Sequence, residues 1–374
     1  MSLKVLIAPD KFKGTLTARA AAESIARGWR KARPHDRLDL LPISDGGDGF
    51  GEILSRLIAA RQQRLKTVDA AGRPLITHWW WEPESRTAII ESARIIGLAL
   101  LPPGKFHPFQ LDTRGLGSAF VAGVKKGARR CLVGIGGSAT NDGGFGLARA
   151  LGWQFLDRDG QPIEHWTDLH RLVSLRPPQK RIGLEVVVAV DVQNRLLGVR
   201  GCSRIYGPQK GLSPADFPTA EKSLRRLAAV TRGQLHHDFA IEPGSGAAGG
   251  LGFGLRAFAG GRLAPGFDLI ARHAQLDRHL RHADLVVTGE GALDRSTLMG
   301  KGVGELASRC KERKIPCVGL GGRVEDRAQL RRIFAVARAL NEITSPEKAK
   351  KAAGRYLEEL AELAARQWRP EQGS

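Results

Sequence analysis

The chain has no apolar run approaching the ~20 residues that a bilayer-crossing helix requires, so no membrane partner is expected. Cysteine is scarce. Cys131, Cys202, Cys310 and Cys317 are far apart or badly spaced and form no CxxC pair. That argues against a disulfide framework or a thiolate zinc site and leaves buried free thiols as the expectation. Aromatic residues are only 6% of the chain, and the aromatic-plus-basic motifs of nucleic-acid readers are missing. There is no Walker A sequence, no protein-kinase motif set and no GxSxG frame around Ser138. The P-loop kinase and serine hydrolase routes therefore close. The N-terminus enters an apolar strand at once, with no signal-peptide layout, so cytoplasm is the default location.

What is present is a globular composition, 42% hydrophobic and 26% charged. The 374 residues exceed one ordinary core, which favours two domains. The net charge of +20 is spread along the chain rather than held in a tail. It suits small anionic substrates, and a solvated basic surface accounts for most of it; nucleic acid is not an expected partner. The 46 glycines cluster in loops, which excludes collagen and favours tight strand-to-helix turns.

The densest cluster is Gly134-Ile135-Gly136-Gly137-Ser138-Ala139-Thr140-Asn141-Asp142-Gly143-Gly144, between an apolar run, 131–133, and a helical pattern, 145–151. Such a stretch can lie flat against a ligand with its hydroxyl, amide and carboxylate groups presented to it. A strand at 5–9 ends in Asp10-Lys11-Phe12-Lys13-Gly14 before a helix capped by Thr15 or Thr17, which puts Asp10 and Lys13 at the strand's carboxyl end, where open α/β sheets bind ligands. A strand at 37–42 ends in Ser44-Asp45-Gly46-Gly47-Asp48-Gly49 before the helix 50–60. Residues 64–91 alternate like an antiparallel meander, with Trp79-Trp80-Trp81 read as packing or interface. The strand 185–190 closes at Asp191-Val192-Gln193-Asn194, and Tyr206-Gly207-Pro208-Gln209-Lys210-Gly211 follows. Residues 244–252 are a second glycine-rich loop, which suits a ligand and a close helix–strand contact about equally. A strand at 283–288 ends at Gly289-Glu290-Gly291, with Asp294, Thr297 and Lys301 soon after. A helix, 303–313, strands at 316–320 and 334–337, and a single last helix, 346–368, complete the pattern. Strand and helix alternate at both chain ends, as in one parallel sheet interrupted by an inserted domain.

Acidic groups at strand ends, glycine loops and lysines in loops suit phosphoryl transfer. That reaction needs charge neutralisation, amides around phosphate and a base for the attacking hydroxyl. A rival reading is the dinucleotide fingerprint Gly134-x-Gly136-x-x-Ala139 with Asp157 downstream. Gly244-x-Gly246-x-x-Gly249 matches it equally, and no clean βαβ unit surrounds residue 134.

Taken together, Ala8-Pro9-Asp10-x-Phe12-Lys13-Gly14, Pro42-x-x-Asp45-Gly46-Gly47-x-Gly49, the 134–144 stretch, Asp191-Val192-x-Asn194, Gly207-Pro208-Gln209-Lys210-Gly211, Gly246-Ala247-Ala248-Gly249-Gly250-x-Gly252 and Thr288-Gly289-Glu290-Gly291-x-x-Asp294-x-x-Thr297-x-x-Gly300-Lys301 resemble the bacterial type I glycerate kinase family. The resemblance runs in order from end to end. It implies ATP- and Mg²⁺-dependent phosphorylation of D-glycerate to 2-phosphoglycerate. It also implies a flavodoxin-like parallel-sheet domain from both chain ends (1–72 and 285–374) and a mixed α/β domain inserted at 73–284, with the active site in the cleft between them. Departures from the family pattern include Lys11, Ser44, Asp48, Arg195, Ser296 and the 91–117 region, where Arg94 and Arg114 are additions. They keep open a kinase for a related hydroxy acid, or a catalytically drifted organic-acid-binding protein; a homodimer is compatible with either.

The residue roles expected are these. Asp45 and Asp191 lie near the transferring phosphate or its Mg²⁺, with Asp142 as a third metal carboxylate and Glu290 in support. Asp191 is the first choice for general base. Lys13 and Lys210 neutralise phosphate charge, with Lys301 a further cation. Ser138, Thr140 and Asn141 hold phosphate or glycerate hydroxyls. Asp10, Gly46, Gly47, Gly136, Gly137, Asn194, Asp294 and Thr297 complete the expected site.

Overall fold

Val5, Leu6 and Ile7 are apolar and fully buried, so the strand Lys4–Ile7 takes the middle of a sheet rather than its edge. In the computed structural model, which describes residues 2–298 and 302–369, that sheet has five strands among the described residues. Their spatial order is Val336–Ala339, Cys317–Val324, Leu285–Leu293, Lys4–Ile7, Arg37–Leu40, all parallel. Numbered along the chain this is the flavodoxin-like order 2-1-3-4-5, whose switch point lies between Lys4–Ile7 and Leu285–Leu293. Lys301 and Gly300 lie outside the described residues.

The helix Ala18–Ala32 starts where Thr17 accepts a hydrogen bond from the Ala20 amide, and its buried face is Ala21, Ala22, Ile25, Ala26 and Trp29. It packs on the helix Ala353–Gln367 so closely that a Cβ on Gly28 would sit 2.0 Å from the Glu358 carbonyl oxygen. The expected single last helix is broken: Pro346–Lys351 and Ala353–Gln367 are separate, because Ala352 leaves the helical backbone region.

The chain divides into two compact units, one of residues up to Asp45 and from Phe267 on, the other Gly46–Gly266. The expected boundaries at 72/73 and 284/285 lie too late in the chain at both junctions. Arg61–Val68 pairs along its whole length with Pro74–Glu82, and Gly51 of the helix Phe50–Leu57 lies on the Trp80 ring, so residues 46–72 join the second unit. At the other junction, Asp268 and Asp277 pair with Arg309 and Arg313, and His279 meets Asp39, which ties residues 267–284 to the first unit.

The second unit carries a mixed sheet of six strands among the described residues: Arg262–Pro265, Glu185–Val190, Arg130–Gly134, Thr87–Glu91, Pro74–Glu82, Arg61–Val68. The first four run parallel, and Pro74–Glu82 pairs antiparallel with Thr87–Glu91 on one side and Arg61–Val68 on the other. Trp79 and Trp81 enter the large core of this unit, while Trp80 faces the other way, as alternation along a strand requires. The four cysteines are free and buried. Among the described residues no helix is long and apolar enough to cross a membrane.

Candidate active site

In the first unit the acidic residues converge at the switch point. The strand Lys4–Ile7 runs into Ala8-Pro9-Asp10, and the Asp10 amide donates to the Gly289 carbonyl at 2.8 Å, which prolongs the parallel pairing. Buried Thr288 fastens the same junction by donating to the Ala8 carbonyl at 2.6 Å. Glu290, expected in a loop, lies inside the strand Leu285–Leu293, paired with Gly321. The glycines explain the extension: a Cβ on Gly289 would lie 2.2 Å from the Leu320 carbonyl oxygen, so only glycine lets the two strands run on this closely. Thr297, also buried, donates to Glu290 Oε1 at 2.9 Å and accepts from the Asp294 amide at 3.2 Å, which fixes the Glu290 carboxylate.

Burial pushes the Asp10 carboxyl well above the usual carboxylate range, and the negative Asp45 pushes it the same way. Lys11 pulls it back through charge and through its amide, which donates to Asp10 Oδ1 at 2.6 Å; Glu290 adds a further upward push. A buried carboxyl raised by burial and by like charge at the carboxyl edge of a parallel sheet marks a candidate functional group. Gly302 opens the helix Gly302–Glu312 beside them: a Cβ there would lie 3.3 Å from Asp10 Oδ2 and 3.6 Å from Asp45 Cβ. Lys13 is exposed, and its backbone amide is 3.3 Å from where a Gly291 Cβ would be.

In the second unit the 134–144 stretch is spent mostly on the protein itself. A Cβ on Gly136 would meet Gly47 Cα at 2.5 Å, and one on Gly144 would meet Gly254 Cα at 2.7 Å. Gly249 faces the Thr140 carbonyl oxygen at 1.9 Å and Gly250 faces Gly143 Cα at 2.8 Å by the same measure. Three glycine-rich loops, 46–49, 134–144 and 244–254, thus pack backbone on backbone. The second glycine loop is therefore a close contact. Gly136 and Gly137 are the accessible part of the long stretch, while 138–142 are buried.

That buried polar run differs from expectation. Ser138 Oγ and Thr140 Oγ1 bond each other at 2.9 Å. Asn141 Nδ2 donates to Ser203 Oγ at 2.9 Å, leaving its buried Oδ1 without a partner. Asp142 accepts from the Thr113 amide and hydroxyl (2.9 and 2.7 Å), the Gly144 amide (3.1 Å) and the Gly146 amide (2.9 Å). Its lone pairs are filled and its carboxylate holds the start of the helix Phe145–Ala150, a structural cap rather than a metal ligand. Burial, with Asp112 adding, nevertheless pushes it up to about 6 against these hydrogen bonds. Lys210 is buried too. Its Nζ donates to the Thr140 carbonyl at 2.7 Å, and burial brings it down to about 8. It holds the loop from beneath instead of presenting its charge.

Asp191 stands just past the carboxyl end of Glu185–Val190 and is half-buried. Tyr206 is near enough that Asp191, after burial itself, raises the phenol above its ordinary range. The Tyr206 hydroxyl donates to Asn194 Oδ1 at 2.5 Å, and Asn194 Nδ2 donates to the Arg200 carbonyl at 2.8 Å. Asn194 therefore shapes the loop after Asp191. Two residues escaped the sequence reading. Glu91, a charge closing the apolar strand Thr87–Glu91, accepts from the Gly49 and Gly51 amides at 3.0 and 2.9 Å and so caps the helix Phe50–Leu57. Tyr206 gives no signal beyond its place in a conspicuous loop.

Comparison with known proteins agrees with this architecture. A model described as "Glycerate kinase family" matches residues 5–369. A glycerate kinase of Halalkalibacterium halodurans is 34% identical over 322 residues, 85% of each chain. A glycerate 2-kinase of Escherichia coli is 34% identical over 331 residues, 87% of this chain and 86% of the relative. A crystal structure from Salmonella typhimurium LT2, carrying the name glycerate kinase 2, superposes with a TM-score of 0.79 at 31% identity and covers 98% of both chains. A match over nearly all residues, a flavodoxin-like sheet assembled from both chain ends and an acidic switch point leave one assignment: the chain belongs to the glycerate kinase family.

Proposed function

We propose that the chain transfers the γ-phosphoryl group of ATP to the 2-hydroxyl of D-glycerate. ATP-dependent phosphorylation of glycerate follows from family membership over residues 5–369. The stereochemistry, the hydroxyl chosen, Mg²⁺ and the residue roles are our reading of the site. The observation that carries it is the set Asp10, Asp45 and Glu290 at the flavodoxin-like switch point, with Asp10 held above its ordinary range by burial and by Asp45.

Mg²⁺ fits this donor set. Among the described residues no three or more His, Cys, Asp or Glu side chains form a cage that could hold a metal alone. Mg²⁺ rarely has one; it keeps waters and takes one or two carboxylates together with substrate phosphates. Asp45 and Asp10 are the residues that would hold it, with Glu290, fixed by Thr297, beside them. When bound, the ion would neutralise charge on the nucleotide's phosphates. Lys13, exposed beside Gly291, would meet a phosphate oxygen. Asp191 is the proposed base for the acceptor hydroxyl, half-buried at a strand end with Tyr206 and Asn194 fixing the loop that follows it. Ser138, Thr140, Asn141, Asp142 and Lys210 serve from behind by holding the accessible Gly136 and Gly137 backbone in place.

The test is an ADP-release assay with Mg-ATP against a panel of small hydroxy acids, followed by phosphorus NMR of the product. Turnover on D-glycerate giving 2-phosphoglycerate is expected; no turnover on any acid would sink the kinase reading. A 3-phosphoglycerate product would overturn the choice of hydroxyl alone.

A further inference from the structure

The strand Thr87–Glu91 and its parallel neighbour Arg130–Gly134 end side by side, and the segment that follows the first is stitched to the loop that follows the second. The Ser92 amide donates to the Gly134 carbonyl, the Leu98 amide to the Gly137 carbonyl and the Ala139 amide to the Ile96 carbonyl, each at 2.9 Å. Arg94 sits within this stitched segment, one residue after Ala93, whose Cβ is 3.2 Å from where a Gly137 Cβ would be. Its position is thus set at the carboxyl edge of the parallel strands, the edge at which open α/β sheets bind ligands.

The guanidinium is held but not used up. It stacks over the Trp80 ring at 5.3 Å. Nε faces Glu91 at 3.5 Å and Nη2 faces Glu52 at 3.9 Å, and the buried Nε has no hydrogen-bond partner. Both carboxylates have other donors: Glu91 takes the Gly49 and Gly51 amides, and Glu52 takes Arg56 at 3.2 Å. The side chain keeps 30% of its surface accessible. A planar fork of donors, stacked in place and only loosely paired, matches a carboxylate, which an arginine binds through two parallel hydrogen bonds. Lys210, a buried cation behind these loops, is turned to the Thr140 carbonyl and is not available for the task.

We propose that Arg94 grips the carboxylate of the acceptor acid; the assignment rests on the kinase reading above. The two nearby acids narrow the class further. Glu91 and Glu52 already face the guanidinium at 3.5 and 3.9 Å, so every further negative charge on the acid adds repulsion, and the site selects hydroxy monocarboxylates over hydroxy dicarboxylates.

The test is initial-rate kinetics on the full chain with Mg-ATP, comparing wild type, Arg94→Ala and Arg94→Lys on D-glycerate and on its uncharged amide. The KM for glycerate in Arg94→Ala should rise by about 10–100-fold, with the KM for ATP within about twofold of wild type. Arg94→Lys should recover only part of the loss, and wild type and Arg94→Ala should handle the amide alike. A glycerate KM within about twofold of wild type in Arg94→Ala overturns the assignment, as does a parallel rise in the KM for ATP, which a purely structural arginine would produce. Should Arg94→Ala fail to fold, Arg94→Lys decides: a rise of about fivefold or more in glycerate KM supports the grip, and an unchanged KM overturns it. Wild-type turnover on glycerate separates the two hypotheses, since its absence removes the kinase reading itself.

Discussion

Two polar clusters flanked by glycine, one in each unit, look alike as sequence and differ in kind. In the first unit Asp10 is buried beside Asp45 and Glu290, and burial first, then the charge of Asp45, raises its carboxyl against the pull of Lys11. In the second unit the run 138–142 is also buried, but Asp142 has four donors, Lys210 has a carbonyl, and Ser138 and Thr140 have each other. Protein folding tolerates an electrostatic conflict where a ligand resolves it, and it completes hydrogen bonds where none will come. The difference lies in the charges that surround each group, not composition.

The sharpest way to break this contrast is to substitute both sides and ask which quantity moves. Asp45→Asn should lower kcat by about 10²–10⁴-fold while the urea midpoint moves less than in Asp142→Ala, because the substitution keeps the side chain's size and its hydrogen-bonding atoms. A loss of stability with retained kcat would place Asp45 on the structural side. Asp142→Ala should do the reverse. It strips the acceptor from four donors and should cost about 3 kcal/mol by urea denaturation, with activity per folded molecule within about tenfold of wild type. Gly249→Ala should follow at about 1–3 kcal/mol, since a Cβ would lie 1.9 Å from the Thr140 carbonyl oxygen at a φ of +70°. A neutral result would mean that the loops do not press together as described.

The smallest effect at neutral pH is expected from Lys210→Met, and pH exposes it. Lys210 is brought down to about 8 in the folded chain, below its ordinary 10.5. Stability from this group is therefore full above about 10.5 and lost as pH falls through about 8, so wild type should gain on the variant as pH rises across that window. Asp142 carries the opposite sign. Its carboxyl is raised from 3.8 to about 6, so its share is full below 3.8 and lost as pH rises through about 6. Thermal midpoints of wild type against Lys210→Met from pH 7 to 10, and against Asp142→Asn from pH 4 to 7, read both slopes. A flat difference in either series would contradict the burial assigned to that group.

Much of the fold could be read from the residues because its cues are local. Apolar β-branched runs, Thr17 before a helix and alternation through 64–82 each declare an element without outside help. The order of the first sheet and the convergence of Asp10, Asp45 and Glu290 follow once those elements are placed. What could not be read depends on partners distant in sequence. The burial of Asn141 is fixed by Ser203, that of Asp142 by Thr113 and that of Thr140 by Lys210. The boundary at 45/46 hides for the same reason: Gly51 and Arg61–Val68 belong with Trp80 and Pro74–Glu82, which follow them. Glycine density was the most ambiguous signal, since a backbone clears its neighbours with the same residue whether the neighbour is a ligand or another loop.

The packing of Gly28 on the Glu358 backbone has a consequence in time. Lys4–Ile7 has Arg37–Leu40 as one neighbour early in synthesis, but its other neighbour, Leu285–Leu293, and the covering helix Ala353–Gln367 come from the far end of the chain. At ordinary translation speeds the first unit waits roughly ten to forty seconds while the whole of Gly46–Gly266 is made. During that interval an apolar strand edge and the Ile25–Trp29 face of the first helix stand open to other nascent chains. The continuous second unit can close on itself meanwhile. The vulnerable stage of this protein's life is therefore its first fifty residues, long before any substrate is met, and slowing the ribosome within 46–266 should cost more soluble protein than slowing it after residue 320.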